Sequence, residues 1–233
     1  MSRLCFQSRD VVVYDDVLSP QDYTKLFRHL NSAEYRSVHH EGWRKVWRLH
    51  DGNPLRSGVA WYYPVPPSPP SNEKIFPTQT PIDAIVAWIA DKLPEIQAVV
   101  GTASVQWSRF SFAPWVYPTG SGLSLHRDGN KYSGAFTYFA HRKWGLHWGG
   151  HLLVLDPLTA QRAVDGGEQF PFLSDEDETA RVFNPGLALT VLAKPNRIVF
   201  LSPDAQHALT RVDMNAGQEP RLSVAGFFHK DME

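Results

Sequence analysis

The stretch Gly120-Ser-Gly-Leu-Ser-Leu-His126-Arg-Asp128 sets an imidazole and a carboxylate two positions apart, just after a strand-like run and a glycine-rich bend. On an extended backbone, residues i and i+2 point to the same face. His126 and Asp128 can therefore reach one metal ion without loop distortion. A His-x-Asp pair alone is a weak motif, so a third ligand has to come from elsewhere. His207 is the candidate, since it follows Ile198-Val199-Phe200-Leu201, an apolar run that reads as a buried strand. Two neutral imidazoles and one carboxylate on one side of an ion leave the opposite positions open, a donor set that suits Fe(II) and oxygen chemistry. Arg221, in Pro220-Arg-Leu-Ser223, comes fourteen residues after His207, beyond a segment with the turn residues Asp213, Asn215 and Gly217. If the two stretches pair as a hairpin, the guanidinium lies close to the ion and can grip a dicarboxylate through two hydrogen bonds. Arg211 competes for that role, but Arg221 sits in the next strand rather than in the turn.

Ten histidines allow chance pairings, and each candidate has a plain structural alternative. Singly, His126 reads as a surface histidine, Asp128 as a turn aspartate and His207 as a buried structural histidine. Their order, the apolar strand before His207 and the Arg221-x-Ser223 after it favour a metal site jointly. His147 and His151 are the rival pair. The double glycine between them disfavours a helix, and on a strand they lie about 13 Å apart, too far to share an ion. Both are assigned to packing or substrate contact.

The order His126-x-Asp128, His207, Arg221-x-Ser223 resembles the Fe(II)/2-oxoglutarate-dependent dioxygenases, in particular the prolyl 4-hydroxylase-like branch. Tyr117, nine residues before His126, stands where that family places a tyrosine that helps hold 2-oxoglutarate. Tyr138-Phe139, Trp144 and Gly149-Gly150 are similar to its tyrosine-leucine-asparagine, tryptophan and Gly-Gly-Glu pattern, and Pro195-Asn-Arg-Ile-Val-Phe200 to the strand before the distal histidine. The likeness covers about residues 105 to 229. Ala140 stands where asparagine is usual and His151 where glutamate is usual. Neither position supplies a metal ligand, so these departures bear on the substrate class. The resemblance implies Fe(II) on the catalytic residues His126, Asp128 and His207, with the far carboxylate of 2-oxoglutarate on Arg221, Ser223 and Tyr117. O2 would complete the set, succinate and CO2 would leave, and an unactivated C–H bond would be hydroxylated. Asp128 speaks against halogenation, because the related halogenases lack that carboxylate. Desaturation and ring formation use the same centre and stay open.

Composition narrows the partner. Twenty-three basic against 24 acidic residues, a net charge of -1, argue against a general binder of nucleic acid or anionic membranes. A small molecule such as an amino acid, a natural-product intermediate or a short peptide is the expected substrate. Two other classes stay open: a peptidyl or nucleic-acid demethylase with the same centre, and a non-catalytic jelly-roll binding module. Cys5 is the one cysteine, so no internal disulfide forms, and residues 1–10 lack a signal-like apolar core. A cytoplasmic location is expected, without a membrane span.

The elements that must position these residues follow from periodicity. Val11–Val17 reads as a first strand, and Ser19-Pro20-Gln-Asp22 opens a helix whose Tyr23, Leu26, Phe27 and Leu30 share one face. Residues 35–63 alternate aromatic and basic side chains, among them Trp43, Arg44, Lys45, Trp47, Arg48, His50 and Arg56. They read as one or two strands with a solvated basic face, or as a wall presenting cations to substrate. Residues 64–70 are proline-rich and read as an extended connector or flap. Thr80-Pro81-Ile-Asp83 opens a second amphipathic helix, expected to stop at Pro94. Strands are predicted at 105–117, 123–126, 134–139, 151–155, 187–192, 197–201 and 221–229. A polar insertion over 157–185 reads as a surface loop or lid. The predicted fold is mainly β with flanking helices (α+β). It is one domain over 1–233, with N-terminal support over 1–104 and a double-stranded β-helix (jelly roll) core over 105–233.

Overall fold

The computed structural model describes residues 2–39, 51–67, 72–164, 180, 183–184 and 186–231. In chain order the elements are β1 (Arg3–Gln7), β2 (Val11–Asp15), α1 (Pro20–Ser32), β3 (Arg36–Ser37), β4 (Leu55–Arg56), β5 (Ala60–Tyr62) and α2 (Asp83–Val100). They continue with β6 (Arg109–Tyr117), β7 (Leu123–Arg127), β8 (Tyr132–Phe139), β9 (Leu152–Leu155), α3 (Pro157–Val164), β10 (Ala188–Val191), β11 (Arg197–Leu201), β12 (Gln206–Leu209) and β13 (Arg221–His229). The strands form two antiparallel sheets. A nine-stranded sheet runs β1-β2-β11-β8-β13-β6-β4-β3, with β5 also on β6, and a four-stranded sheet runs β10-β9-β12-β7. From β6 onward the chain passes back and forth between them, with β6, β8, β11 and β13 in the large sheet and β7, β9, β10 and β12 in the small one. That is the jelly-roll winding expected from the strand count.

The large sheet is buried on both faces, which explains its near-continuous apolar runs. Along β11, Ile198 and Phe200 share a core with Leu26 and Leu30 of α1 and Ile85 and Ile89 of α2. Val199 and Leu201 turn the other way, toward Leu152 and Val154 of the small sheet. The two-residue alternation of a strand thus assigns each side chain to a layer. The start of α1 is as read: Pro20 opens it and the Ser19 hydroxyl accepts from Asp22 N at 3.1 Å.

Several local readings need correction. The strand expected from Val105 starts at Arg109, because Ser104 has a φ of 60° and the Val105 side chain points into solvent. The second helix does not stop at Pro94. It runs on to Val100, since burial of Ile96, Val99 and Val100 on the same core outweighs the one hydrogen bond that proline cannot donate. Gly101, at φ 83°, ends it instead. The first part of the insertion, Pro157–Val164, is a helix rather than a loop, with Leu158 N and Thr159 N donating to the Asp156 carboxylate. His207 lies within a strand, β12, and β12 does not form a hairpin with β13: β12 pairs with β7 and β9, and β13 with β6 and β8. Arg221 thus stands on the large sheet and His207 on the small one. Residues 40–50 of the basic-aromatic stretch, 68–70 of the proline-rich segment and 165–179, 181–182 and 185 of the insertion lie outside the described residues. Among the described residues no helix is long and apolar enough to cross a membrane.

Candidate metal centre

His126 on β7 and His207 on β12 are direct cross-strand partners, and their rings stand 4.2 Å apart between centroids. Asp128 follows the last residue of β7 and brings Oδ1 to 3.8 Å from His126 Nε2. One ligand atom from each of the three lies within 4.8 Å of the others, and all three residues are buried. The imidazoles are aimed by their backbones. His126 Nδ1 donates to Ser124 O at 2.9 Å, and His207 Nδ1 donates to Ala205 O at 3.0 Å. A carbonyl can only accept, so each ring carries a proton on Nδ1 and leaves Nε2 as the nitrogen for a metal.

Electrostatics agree with that donor set. Burial holds His126 well below its ordinary range, with His207 beside it adding to the effect. Burial pushes the Asp128 carboxyl up, partly countered by His207. A carboxylate buried beside two imidazoles loses its hydration as an anion, and a divalent cation among them supplies compensating charge.

A second layer holds the strand that carries His126. Asp51 is buried, and its Oδ1 accepts from the Ser124 hydroxyl at 2.7 Å. Asp51 O accepts from Gly122 N at 2.9 Å, and Ser121 Oγ accepts from Asn53 N at 3.1 Å. Gly52 is needed in this clamp, since at φ 77° a Cβ would meet Gly120 O at 2.8 Å.

The large sheet supplies the facing wall. Arg221 is 1% exposed, and Nε donates to Gly150 O at 2.7 Å while Nη1 donates to Ser223 Oγ at 3.3 Å. Nη2 is buried and has no hydrogen-bond partner among the described residues. The guanidinium lies 5.0 Å from the Tyr117 ring centroid and 4.8 Å from that of Phe139. Burial lowers the Arg221 pKa to about 10, so the side chain stays charged at neutral pH. Neighbouring His141 is pushed down to about 3, mainly by burial, and is neutral. The anchor therefore carries one positive charge with an unanswered donor, which fits a carboxylate. Gly149 and Gly150, at φ 63° and 65°, shape this wall. A Cβ on Gly150 would press on Arg221 Cδ at 2.8 Å.

Between the sheets lies a cavity of about 90 Å³, lined among others by Tyr117, His126, Asp128, Thr137, His207 and Phe227. The expected ligands and Tyr117 thus meet at one cavity, with Arg221 and Ser223 adjoining it through the stack on Tyr117. Tyr117 itself is buried, which pushes its hydroxyl pKa up. Arg211 is exposed. His151 serves packing, since Ala193 N donates to its Nδ1 and its Nε2 donates to Leu146 O. Asp51, Thr137 and Phe227 were not expected. Phe227 shares the parity of Arg221 and Ser223 along β13, a signal present in the sequence. Asp51 had none.

No protein-family model matches this sequence, and no curated protein matches it significantly. The structure is similar to a prolyl-4-hydroxylase from Pseudomonas putida, with a TM-score of 0.57 at 16% identity over 96% of this chain and 94% of that one. It is similar to a prolyl hydroxylase from Trichoplax adhaerens in complex with a hypoxia inducible factor peptide, with a TM-score of 0.55 at 9% identity over 96% and 84%. HygX from Streptomyces hygroscopicus, with nickel and 2-oxoglutarate bound, has a TM-score of 0.52 at 13% identity over 94% and 83%. What the chain shares with these proteins at such identities is the fold.

Proposed function

We propose that this chain is an Fe(II)- and 2-oxoglutarate-dependent oxygenase of the prolyl 4-hydroxylase-like branch, working as one domain. Its substrate is a small molecule such as an amino acid, a natural-product intermediate or a short peptide, hydroxylated at an unactivated C–H bond. The observation that carries this reading is the buried meeting of His126, Asp128 and His207, inside a fold shared with a protein that has nickel and 2-oxoglutarate bound. Bound iron supplies the coupling of O2 reduction and 2-oxoglutarate decarboxylation to C–H oxidation.

The chain's own residues do the rest. His126 and His207 present Nε2 because Ser124 O and Ala205 O hold the Nδ1 protons. Asp128 would supply the one negative charge of the ligand set. Arg221 is held in orientation by Gly150 O and Ser223 Oγ, and its Nη2 is left to bind the far carboxylate of the cosubstrate. Ser223 Oγ accepts from Arg221, so its own proton can be donated to the same carboxylate. Tyr117, stacked on the guanidinium, closes that end. Leu152, Leu201 and Leu209 among the cavity walls exclude water from the reacting side.

Anaerobic titration with Fe(II) and 2-oxoglutarate tests this. A visible charge-transfer band should appear only when both are present, and air should then yield succinate. Absence of the band together with absence of succinate contradicts the reading.

A further inference from the structure

The inner face of the large sheet carries a row of rings that metal chemistry does not use. Alternation along β13 turns Ala225, Phe227 and His229 to the same side as Arg221 and Ser223. Phe227 lines the cavity. From it the rings run outward in contact: Phe227 stacks on Tyr132 at 4.5 Å, Tyr132 meets His229 at 4.9 Å, and His229 meets Trp61 at 4.8 Å between centroids. Cations lie over the row. Lys131 Nζ is 5.0 Å from the Tyr132 centroid, and Arg109 Cζ is 4.4 Å from that of Trp61.

Core packing does not account for this arrangement. On the opposite face of the same strands Phe110, Phe112, Phe136 and Phe228 are fully buried, whereas the four rings of the row are half-buried. Lys131 makes no ion pair among the described residues. Arg109 shares Glu73 at 3.6 Å with Tyr63, whose hydroxyl accepts from Arg109 at 2.8 Å and donates to Glu73 at 2.8 Å. Among the described residues the Glu73 carboxylate pairs with Arg109 and not with Lys131. Burial, aided by the Arg109 and Lys131 charges, pushes His229 down to about 4, so it stays neutral at physiological pH.

We propose that this row is the substrate subsite and that it selects an amphipathic organic acid. A flat apolar body lies on the rings, and a carboxylate or phosphate is held by Arg109 and Lys131. The carbon to be oxidised reaches past Phe227 to the ion. Successive same-face residues of a strand are about 7 Å apart, so the acid group and the oxidised carbon are separated by at least that length. Rings bind the body through its area, and the cations fix its direction. What happens at the ion rests on the oxygenase reading; the binding of the acid does not.

Calorimetric titration of the metal-free protein, without 2-oxoglutarate, tests the subsite with phenylbutyrate, phenylbutyl phosphate and phenylbutylamine. At least one of the two anions should bind and the amine should not, and the anion bound more tightly identifies the acid group. Lys131→Gln and Arg109→Gln should each weaken the bound anion by about tenfold, with melting curves confirming that both variants fold. Lys131 is exposed, so its replacement leaves the core intact. Failure of both anions to bind, equal binding of the amine, or wild-type affinity in both variants would overturn the proposal. Because iron is absent throughout, such a failure leaves the metal centre standing, and a failed iron titration leaves the subsite standing.

Discussion

A carboxylate buried beside two imidazoles is costly unless a cation joins them, and this cost governs what single substitutions do at the centre. Arg221 presents the complementary case, a buried cation whose Nη2 waits for an anion. Arg221→Lys keeps the charge but loses the planar fork and the bond to Gly150 O. It should raise the 2-oxoglutarate concentration for half-saturation by about tenfold or more, read by titrating succinate formation, with little change in iron affinity. At this scale the sequence was informative. The meeting of His126, Asp128 and His207 was legible because their types, order and strand context left few other uses for them jointly, whereas Arg221 was read through a hairpin that does not form. Less legible was how Arg221 is held: a carbonyl contributed by Gly150, 71 positions away, leaves no trace in side-chain identity.

Among elements, the segment around Asp51 is tied to β7, the strand that presents His126. Its carboxylate takes the Ser124 hydroxyl, and Ser124 O takes the His126 Nδ1 proton, so a two-step chain of hydrogen bonds orients the ligand. Asp51→Asn should weaken Fe(II) binding by about tenfold, in the range seen for partners of metal ligands, while 2-oxoglutarate affinity in the loaded protein changes little. Competitive titration with a metal-sensitive dye reads this directly, and unchanged iron affinity would remove Asp51 from the account. Elements themselves were readable where periodicity was strong, as in α1 with its Ser19 cap and buried Leu26 and Leu30. Pro94 misled because local chemistry argued for a stop, whereas tertiary burial of Ile96, Val99 and Val100 carried the helix on. β12 was missed as a strand because it is short and its apolar pattern is broken by His207 and Gln206.

Seen as a whole, the molecule wraps one large sheet between a helical layer and a small sheet, and the centre sits where the two sheets face. Strand count and Gly/Pro breaks made a jelly roll legible. Which sheet each strand joins was not, because parity assigns a face but not a partner. β2 is fastened to β11 through Asp15, which takes two bonds from Arg197, at 2.6 and 3.1 Å, and one from Lys194 at 2.8 Å. Burial pushes the Asp15 pKa up, but these bonds outweigh it and hold the carboxyl well below its ordinary range. A carboxylate held low stabilises the fold at pH above its unfolded value of about 3.9, and that contribution is lost as pH falls from there toward the folded value. Asp15→Ala should cost about 1.5–3 kcal/mol at neutral pH, and melting curves from pH 7 to pH 3 should show the variant losing less stability on acidification than the wild type.

The central claim is that three side chains from β7, the residue after it and β12 hold one iron. Equilibrium binding of Fe(II) under anaerobic conditions, compared between the wild-type chain and Asp128→Ala, tests it most directly. One ion per chain in the wild type and a loss of binding in the variant are the predicted result. No stoichiometric binding by the wild type, or binding that survives the loss of Asp128, would contradict it.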